Sequence, residues 1–153
     1  MKNKNLGFTL IELLVVIMII GVLSSIILTS LSNSRARAYD SKIKQQLNGF
    51  RTATEIYFTN QDPNSYNTTG NLIISCANGI FSDISSENGA PGLYLDSANL
   101  PDFAITVCGA NASGSAYAVK APLYSGNEYW CIDNGGFSGL VADAITGPTT
   151  ICP

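Results

Sequence analysis

The stretch Phe8-Thr9-Leu10-Ile11-Glu12-Leu13-Leu14-Val15-Val16-Ile17-Met18-Ile19-Ile20-Gly21-Val22-Leu23-Ser24-Ser25-Ile26-Ile27-Leu28-Thr29-Ser30-Leu31 decides how the rest of this 153-residue chain is read. Seventeen of its 24 residues are apolar. As a helix it would reach about 36 Å, enough to cross a hydrocarbon core about 30 Å thick. Three readings compete. A secretory signal would be removed downstream, and Ala36-Arg37-Ala38 and Ser30-Leu31-Ser32 offer small-x-small sites. The apolar run exceeds the usual 7–15 residues of such a signal, however, and the helical pattern continues through both sites. The second reading is a plain membrane anchor holding an external domain. The third is a segment cut just before the apolar run and kept as a helix.

Glu12 favours the third. A carboxylate in a membrane segment is costly unless it is hydrated at the interface or finds a partner. No Lys or Arg lies between Phe8 and Ser34. Cleavage after Gly7 would free an α-amine on Phe8, one helical turn from Glu12. Between staggered copies each Glu12 could meet a neighbour's amine, neutralising both in a dry setting. Glu12 is therefore a candidate assembly switch and not a catalytic group.

Beyond Leu31 the pattern becomes amphipathic. Tyr39, Ile43, Leu47, Phe50, Thr54 and Tyr57-Phe58 recur at three- and four-residue steps, the period of one helical face. Only Gly49 weakens the run before the breakers Asn60-Gln61-Asp62-Pro63-Asn64. A helix from near Phe8 to near Asn60 would be about 80 Å long. Its first half needs lipid or copies of itself, and its second half offers a stripe to a head domain. Arg35, Arg37, Lys42, Lys44 and Arg51 oppose Asp40 and Glu55 along the stem, a net of +3. Beyond Asn60 eight acids (Asp62, Asp83, Glu87, Asp96, Asp102, Glu128, Asp133, Asp143) face Lys120 alone, a net of −7. This reads as a basic juxtamembrane collar joined to an acidic soluble surface, with attraction between stems and heads of stacked copies as the sharper version.

The composition closes several routes. The chain lacks histidine, which removes Ser-His-Asp and Cys-His nucleophile systems and His-bearing zinc sites. Its formal net charge of −3 gives no basic excess for nucleic-acid phosphate. Residues 62 to about 101 read as loop-rich, with short elements at Leu72–Cys76, Gly79–Phe81 and Leu93–Leu95. Phe103–Cys108, Ser115–Ala121 and Asn127–Asp133 read as strands of an antiparallel meander. In the middle strand Tyr117, Val119 and Ala121 face one way, and Ala116, Ala118 and Lys120 the other. The expected fold class is α+β, a long N-terminal helix over about 8–60 whose second half packs on a small antiparallel sheet. Cys76, Cys108, Cys131 and Cys152 all lie in the head, which points to disulfides in an oxidising compartment. A thiolate metal site is the rival, but no C-x-x-C pair is present. Trp130 is expected against the core or a bridge. Asn67-Thr68-Thr69 and Asn111-Ala112-Ser113 fit a glycosylation sequon. Asp133-Asn134-Gly135-Gly136 fits ordinary turn chemistry better than the start of a calcium loop, leaving Asp133 a weak metal candidate.

The string from Lys4 to Ile17, KNLGFTLIELLVVI, resembles the class III signal of type IV pilins and type II secretion pseudopilins. It has a short basic leader, Gly, Phe, and then apolar residues with Glu in the fifth place after the cut. The resemblance implies cleavage by a prepilin peptidase between Gly7 and Phe8, and methylation of the new Phe8 amine. It implies that Glu12 contacts the N-terminus of a neighbouring subunit, and that Gly21 is a helix-weakening position. Thr29 stands where many members carry proline. The implied organisation is a cleaved leader (1–7), a transmembrane and filament-core helix (8–31), an amphipathic stem (32–60) and a disulfide-bonded head (61–153).

The implied partners are copies of the chain and related pilins, the peptidase, a platform membrane protein, an assembly ATPase and membrane lipid. The implied location is the cytoplasmic membrane as a single-pass precursor, then an extracellular or periplasmic filament. Three disulfide connectivities are open. Cys76–Cys108 with Cys131–Cys152 is favoured because the second bridge would tie the tail to the last strand, as many pilins close a C-terminal loop. Some pseudopilin heads bind calcium near the C-terminus; no other cofactor is implied. The expected function is a structural filament subunit and not an enzyme. The alternatives are a minor or competence pilin binding DNA, against which the acidic head argues, and a monomeric membrane-anchored extracytoplasmic binding domain.

Overall fold

A computed structural model describes residues 8–101, 106–142 and 150–152. The chain divides into two compact units, Met1–Ala36 and Arg37–Pro153. One helix, α1, spans Leu10–Asn60 and supplies residues to both. It passes Gly21 and Thr29 without a break. Proline's missing N–H and its clash with the preceding turn would have interrupted it at Thr29.

Within the first unit the large apolar residues from Phe8 to Leu31 are between 44% and 83% exposed. Two serines in this run bond back to the helix. Ser24 and Ser25 donate their hydroxyls back to the carbonyls of Ile20 and Val22, each at 2.8 Å. With its backbone hydrogen-bonded internally, α1 is long and apolar enough to cross a membrane.

The second unit has its core between the later half of α1 and a four-stranded antiparallel sheet, β1 (Val107–Ala110), β2 (Tyr117–Pro122), β3 (Glu128–Asp133) and β4 (Ser138–Ala142), in that spatial order. Ile43, Leu47, Phe50, Thr54 and Tyr57 of the stripe are buried. Tyr39 is only partly covered, its ring 5.5 Å from that of Tyr124. Phe50 is fully buried, stacked on Phe81 and edge-on to Tyr117, each at 5.8 Å. Tyr117, Val119 and Ala121 join this main core, while Ala118 belongs to a second cluster with Cys131, Val141 and Cys152 on the opposite face. The alternation of β2 therefore divides two cores, which is why the strand is buried on both sides.

The sheet differs from the sequence expectation chiefly at its first and fourth strands. The first strand begins at Val107 and runs on to Ala110, later than Phe103–Cys108; residues 103–105 lie outside the described residues. Ala110 extends it because its N–H and C=O exchange bonds with Ile73, at 3.0 and 2.9 Å. The expected element at Leu72–Cys76 is reduced to that single bridge. The fourth strand was not expected, since Ser138 and Gly139 are poor strand formers. Gly139 is suited to its place, because a Cβ there would sit 3.0 Å from the Phe137 ring. The loop-rich segment carries 3₁₀ turns at Gly79–Phe81, Ser86–Asn88 and Pro91–Tyr94. Gly49 seats the last of these on α1: a Cβ at Gly49 would meet the Tyr94 ring at 2.3 Å.

Candidate functional site

The start of α1 is built by two polar residues. Thr9 precedes the first helical residue, and its hydroxyl oxygen accepts the Glu12 N–H at 3.4 Å. In return Glu12 Oε2 accepts the Thr9 backbone N–H at 2.8 Å and the Thr9 hydroxyl at 2.7 Å. This is a reciprocal capping box, which satisfies two helix-end donors and places a negative charge at the positive end of the helix dipole. The Thr-x-x-Glu spacing is the sequence signal for this box. Phe8 is exposed and lies just outside the helix, whereas Gly7 lies outside the described residues. Glu12 Oε1 has no hydrogen-bond partner among the described residues.

In the head, disulfides join Cys76 to Cys108 and Cys131 to Cys152, with Cα–Cα distances of 5.1 and 6.0 Å. The first ties the segment after the Ile73–Ala110 bridge to β1; the second ties the tail to β3. Asp133 organises that end. Its Oδ1 accepts the Phe137 N–H at 3.0 Å, and its Oδ2 accepts the Cys152 N–H at 3.1 Å. Arg51 of α1 donates to the Asp133 carbonyl at 3.0 Å. Asp133 is thus a loop-holding carboxylate, and no three His, Cys, Asp or Glu residues gather into a metal-binding group among the described residues.

Both sequon asparagines are committed to structure. Asn67 is buried; its amide nitrogen donates to the carbonyls of Asn71 and Asn111, and its oxygen accepts from Thr69. Asn111 donates to Ser115 and accepts the N–H groups of Ser115 and Ala116. The Asn67 amide is thus buried and doubly bonded, whereas Asn111 is half-exposed.

Two tyrosines and one aspartate are shifted by these surroundings. Burial pushes Tyr117 up to about 12. Burial, followed by the hydrogen bond to Glu55, raises Tyr66 further. Burial alone would raise Asp83, but hydrogen bonds from the Ser85 hydroxyl, Asn88 and the Ser85 N–H outweigh it and hold the carboxyl below its ordinary value.

Of the stem cations, Arg51 is tied to Asp133, and Lys44 lies 4.6 Å above the partly buried Trp130 ring. Arg35, Arg37 and Lys42 are exposed. Lys120 is buried, its Nζ 4.9 Å from the centre of the Tyr129 ring. The head's one cation is therefore not displayed for a phosphate backbone, while Asp62, Glu87, Asp96 and Glu128 are exposed.

Residues 2–28 match the family model described as the prokaryotic N-terminal methylation motif. The chain is 38% identical, over the full length of both proteins, to the type IV wide pilus major component PilA4 of Thermus thermophilus. It is 39% identical to the type IV major pilin protein PilA of Myxococcus xanthus over 39% of this chain and 27% of that one. It is 34% identical to the type II secretion system core protein G of Aeromonas hydrophila over 44% of this chain and 46% of that one. The chain thus spans the whole of the first of these relatives and less than half of the other two. No solved structure gives a significant match. With an apolar helix opening on a Thr9–Glu12 capping box, a disulfide-bonded antiparallel head, the methylation motif and a full-length relative, this chain belongs to the type IV pilin and pseudopilin family.

Proposed function

We propose that the chain is a structural subunit of a type IV pilus-like or pseudopilus filament, trimmed between Gly7 and Phe8 and polymerised through its apolar helix. The observation that carries this is a lone acid on a bare helix. Glu12 is the only charged side chain from Phe8 to Ser34, and the surrounding Ile, Leu and Val side chains are uncovered within the chain. Thr9 satisfies one carboxylate oxygen but brings no positive charge. Removal of the leader frees the Phe8 amine, and methylation leaves that nitrogen protonated. A neighbour's Phe8 amine then neutralises Glu12 with a charge-assisted hydrogen bond, strongest where water is excluded. The same packing buries the apolar run, at about 25 cal/mol per Å² removed from water.

The relatives named as a major pilus component and as a secretion core protein support a structural, non-enzymatic role. The retained carboxylate favours a major subunit over a tip subunit. The precursor would sit in the cytoplasmic membrane in contact with lipid, be cut and methylated by a prepilin peptidase, and be extracted by a platform protein and an assembly ATPase. The filament, extracellular or periplasmic, would contain copies of the chain and related pilins.

Sheared filaments from cells making the chain, imaged and then weighed intact, test this reading. The expected subunit begins at Phe8 and carries one methyl group. A solitary particle that begins at Met1 or Tyr39 would refute it.

A further inference from the structure

We propose that Asn78 is a site of spontaneous modification, where the Asn78–Gly79 peptide closes to a succinimide and reopens as aspartate or isoaspartate in the folded protein. Asn–Gly is a favourable dipeptide for this chemistry, because glycine has no Cβ to obstruct its own backbone nitrogen and its main chain turns freely. The chain holds four such pairs, at Asn48–Gly49, Asn78–Gly79, Asn88–Gly89 and Asn134–Gly135. The fold discriminates among them.

Three are locked. Asn48 and Gly49 lie inside α1, where the ring cannot close without unwinding the helix, and Asn48 accepts a bond from Ser138 at 3.2 Å. Asn88 donates to Asp83 Oδ2 at 2.8 Å, and the Gly89 nitrogen that would attack is spent on the Ser86 carbonyl. Asn134 donates to the Ser115 carbonyl and accepts the Tyr117 N–H, each at 3.1 Å. Asn78 differs. It is exposed, and its side chain takes no hydrogen bond among the described residues. Its backbone is extended (φ −134°, ψ 154°), and Gly79 at φ 59° can absorb the rotation that brings its nitrogen to Asn78 Cγ.

The step needs only water. The Gly79 nitrogen loses its proton to solvent base and bonds to Asn78 Cγ as the Cγ–Nδ2 bond breaks, and ammonia leaves carrying a proton from solvent. Water then adds to either ring carbonyl and breaks one ring C–N bond. The product is aspartate on the original main chain, or isoaspartate with the main chain routed through the side chain. Both add a negative charge to an acidic head. Isoaspartate also lengthens the backbone where the Asn78 carbonyl accepts the Phe81 N–H at 3.3 Å, just before the fully buried Ile80 and Phe81.

The test incubates the purified full-length mature protein in mildly alkaline buffer, beside a fully denatured sample, and follows each Asn–Gly peptide by mass and by enzymatic isoaspartate labelling. In the folded protein the Asn78 peptide should convert more than about tenfold faster than the other three, which react only through local opening. In the denatured sample the four rates should converge. Asn78→Gln, which removes no hydrogen bond, should abolish the early isoaspartate signal. The proposal is overturned if another pair converts first, if Asn78 is as slow as the locked three, or if the signal survives in Asn78→Gln.

Discussion

Glu12 reaches back one turn to Thr9, and a single carboxylate oxygen collects both the backbone N–H at 2.8 Å and the hydroxyl at 2.7 Å. The bond lies within one chain, so it is available before any neighbour arrives. In the proposed filament a neighbour's amine would displace this bond because Thr9 supplies hydrogens without charge. Glu12→Gln separates the two roles, since its amide oxygen still accepts from Thr9 but carries no charge. Filament yield from Glu12→Gln should fall more than about tenfold, in line with removal of one partner of a buried ion pair, while membrane insertion stays intact. Normal yield would assign the residue to capping alone.

Gly49 and Tyr94 form a second testable pair. Alanine at an exposed helix position is worth about 1 kcal/mol over glycine, but at Gly49 its Cβ would enter the Tyr94 ring. Gly49→Ala should therefore destabilise the second unit by about 1–3 kcal/mol, as overpacking does. With Tyr94→Ala also present, the same substitution should become stabilising. Denaturant unfolding of the four proteins in the cycle reads the reversal.

Each disulfide closes a long loop, with sequence separations of 32 and 21. Replacing either pair by serines should cost about 3–4 kcal/mol, the loop-entropy value for loops of this length. Paired Cys131→Ser and Cys152→Ser should also loosen the Asp133 contact with the tail, seen as faster exchange of the backbone amide at position 152.

Alkaline unfolding should carry the signature of Tyr117. A phenol whose folded value is raised binds its proton more tightly when folded. Its stabilising effect is therefore fully present below the unfolded value of 10 and lost as pH climbs through about 12. The loss should approach about 2–3 kcal/mol, and Tyr117→Phe should make stability fall less steeply across that window, leaving the part that Tyr66 contributes.

The helix was legible because its cause is local. Apolar continuity from Phe8 and the spacing of Ile43, Leu47, Phe50 and Tyr57 show in the residues themselves, and α1 follows them to Asn60. β2 and β3 were also legible, from alternation bounded by turns. β4 was not, because its glycine is explained only by the Phe137 ring above it. The limits of β1 depended on Ile73, over thirty residues away. At the site, Glu12 stands out in the sequence as an acid among hydrocarbons, and the structure adds its local partner Thr9. The two sequons are weak signals in so Asn- and Ser-rich a head, and a three-residue pattern says nothing of the bond from the Asn67 amide to the distant Asn111 carbonyl.

The most direct measurement is a filament structure at side-chain resolution, read at Glu12. Its carboxylate should lie within about 4 Å of the methylated Phe8 nitrogen of an adjacent subunit, the distance of an ion pair. A filament in which every Glu12 remains bonded to its own Thr9, with the Phe8 amines paired elsewhere, would contradict this pairing.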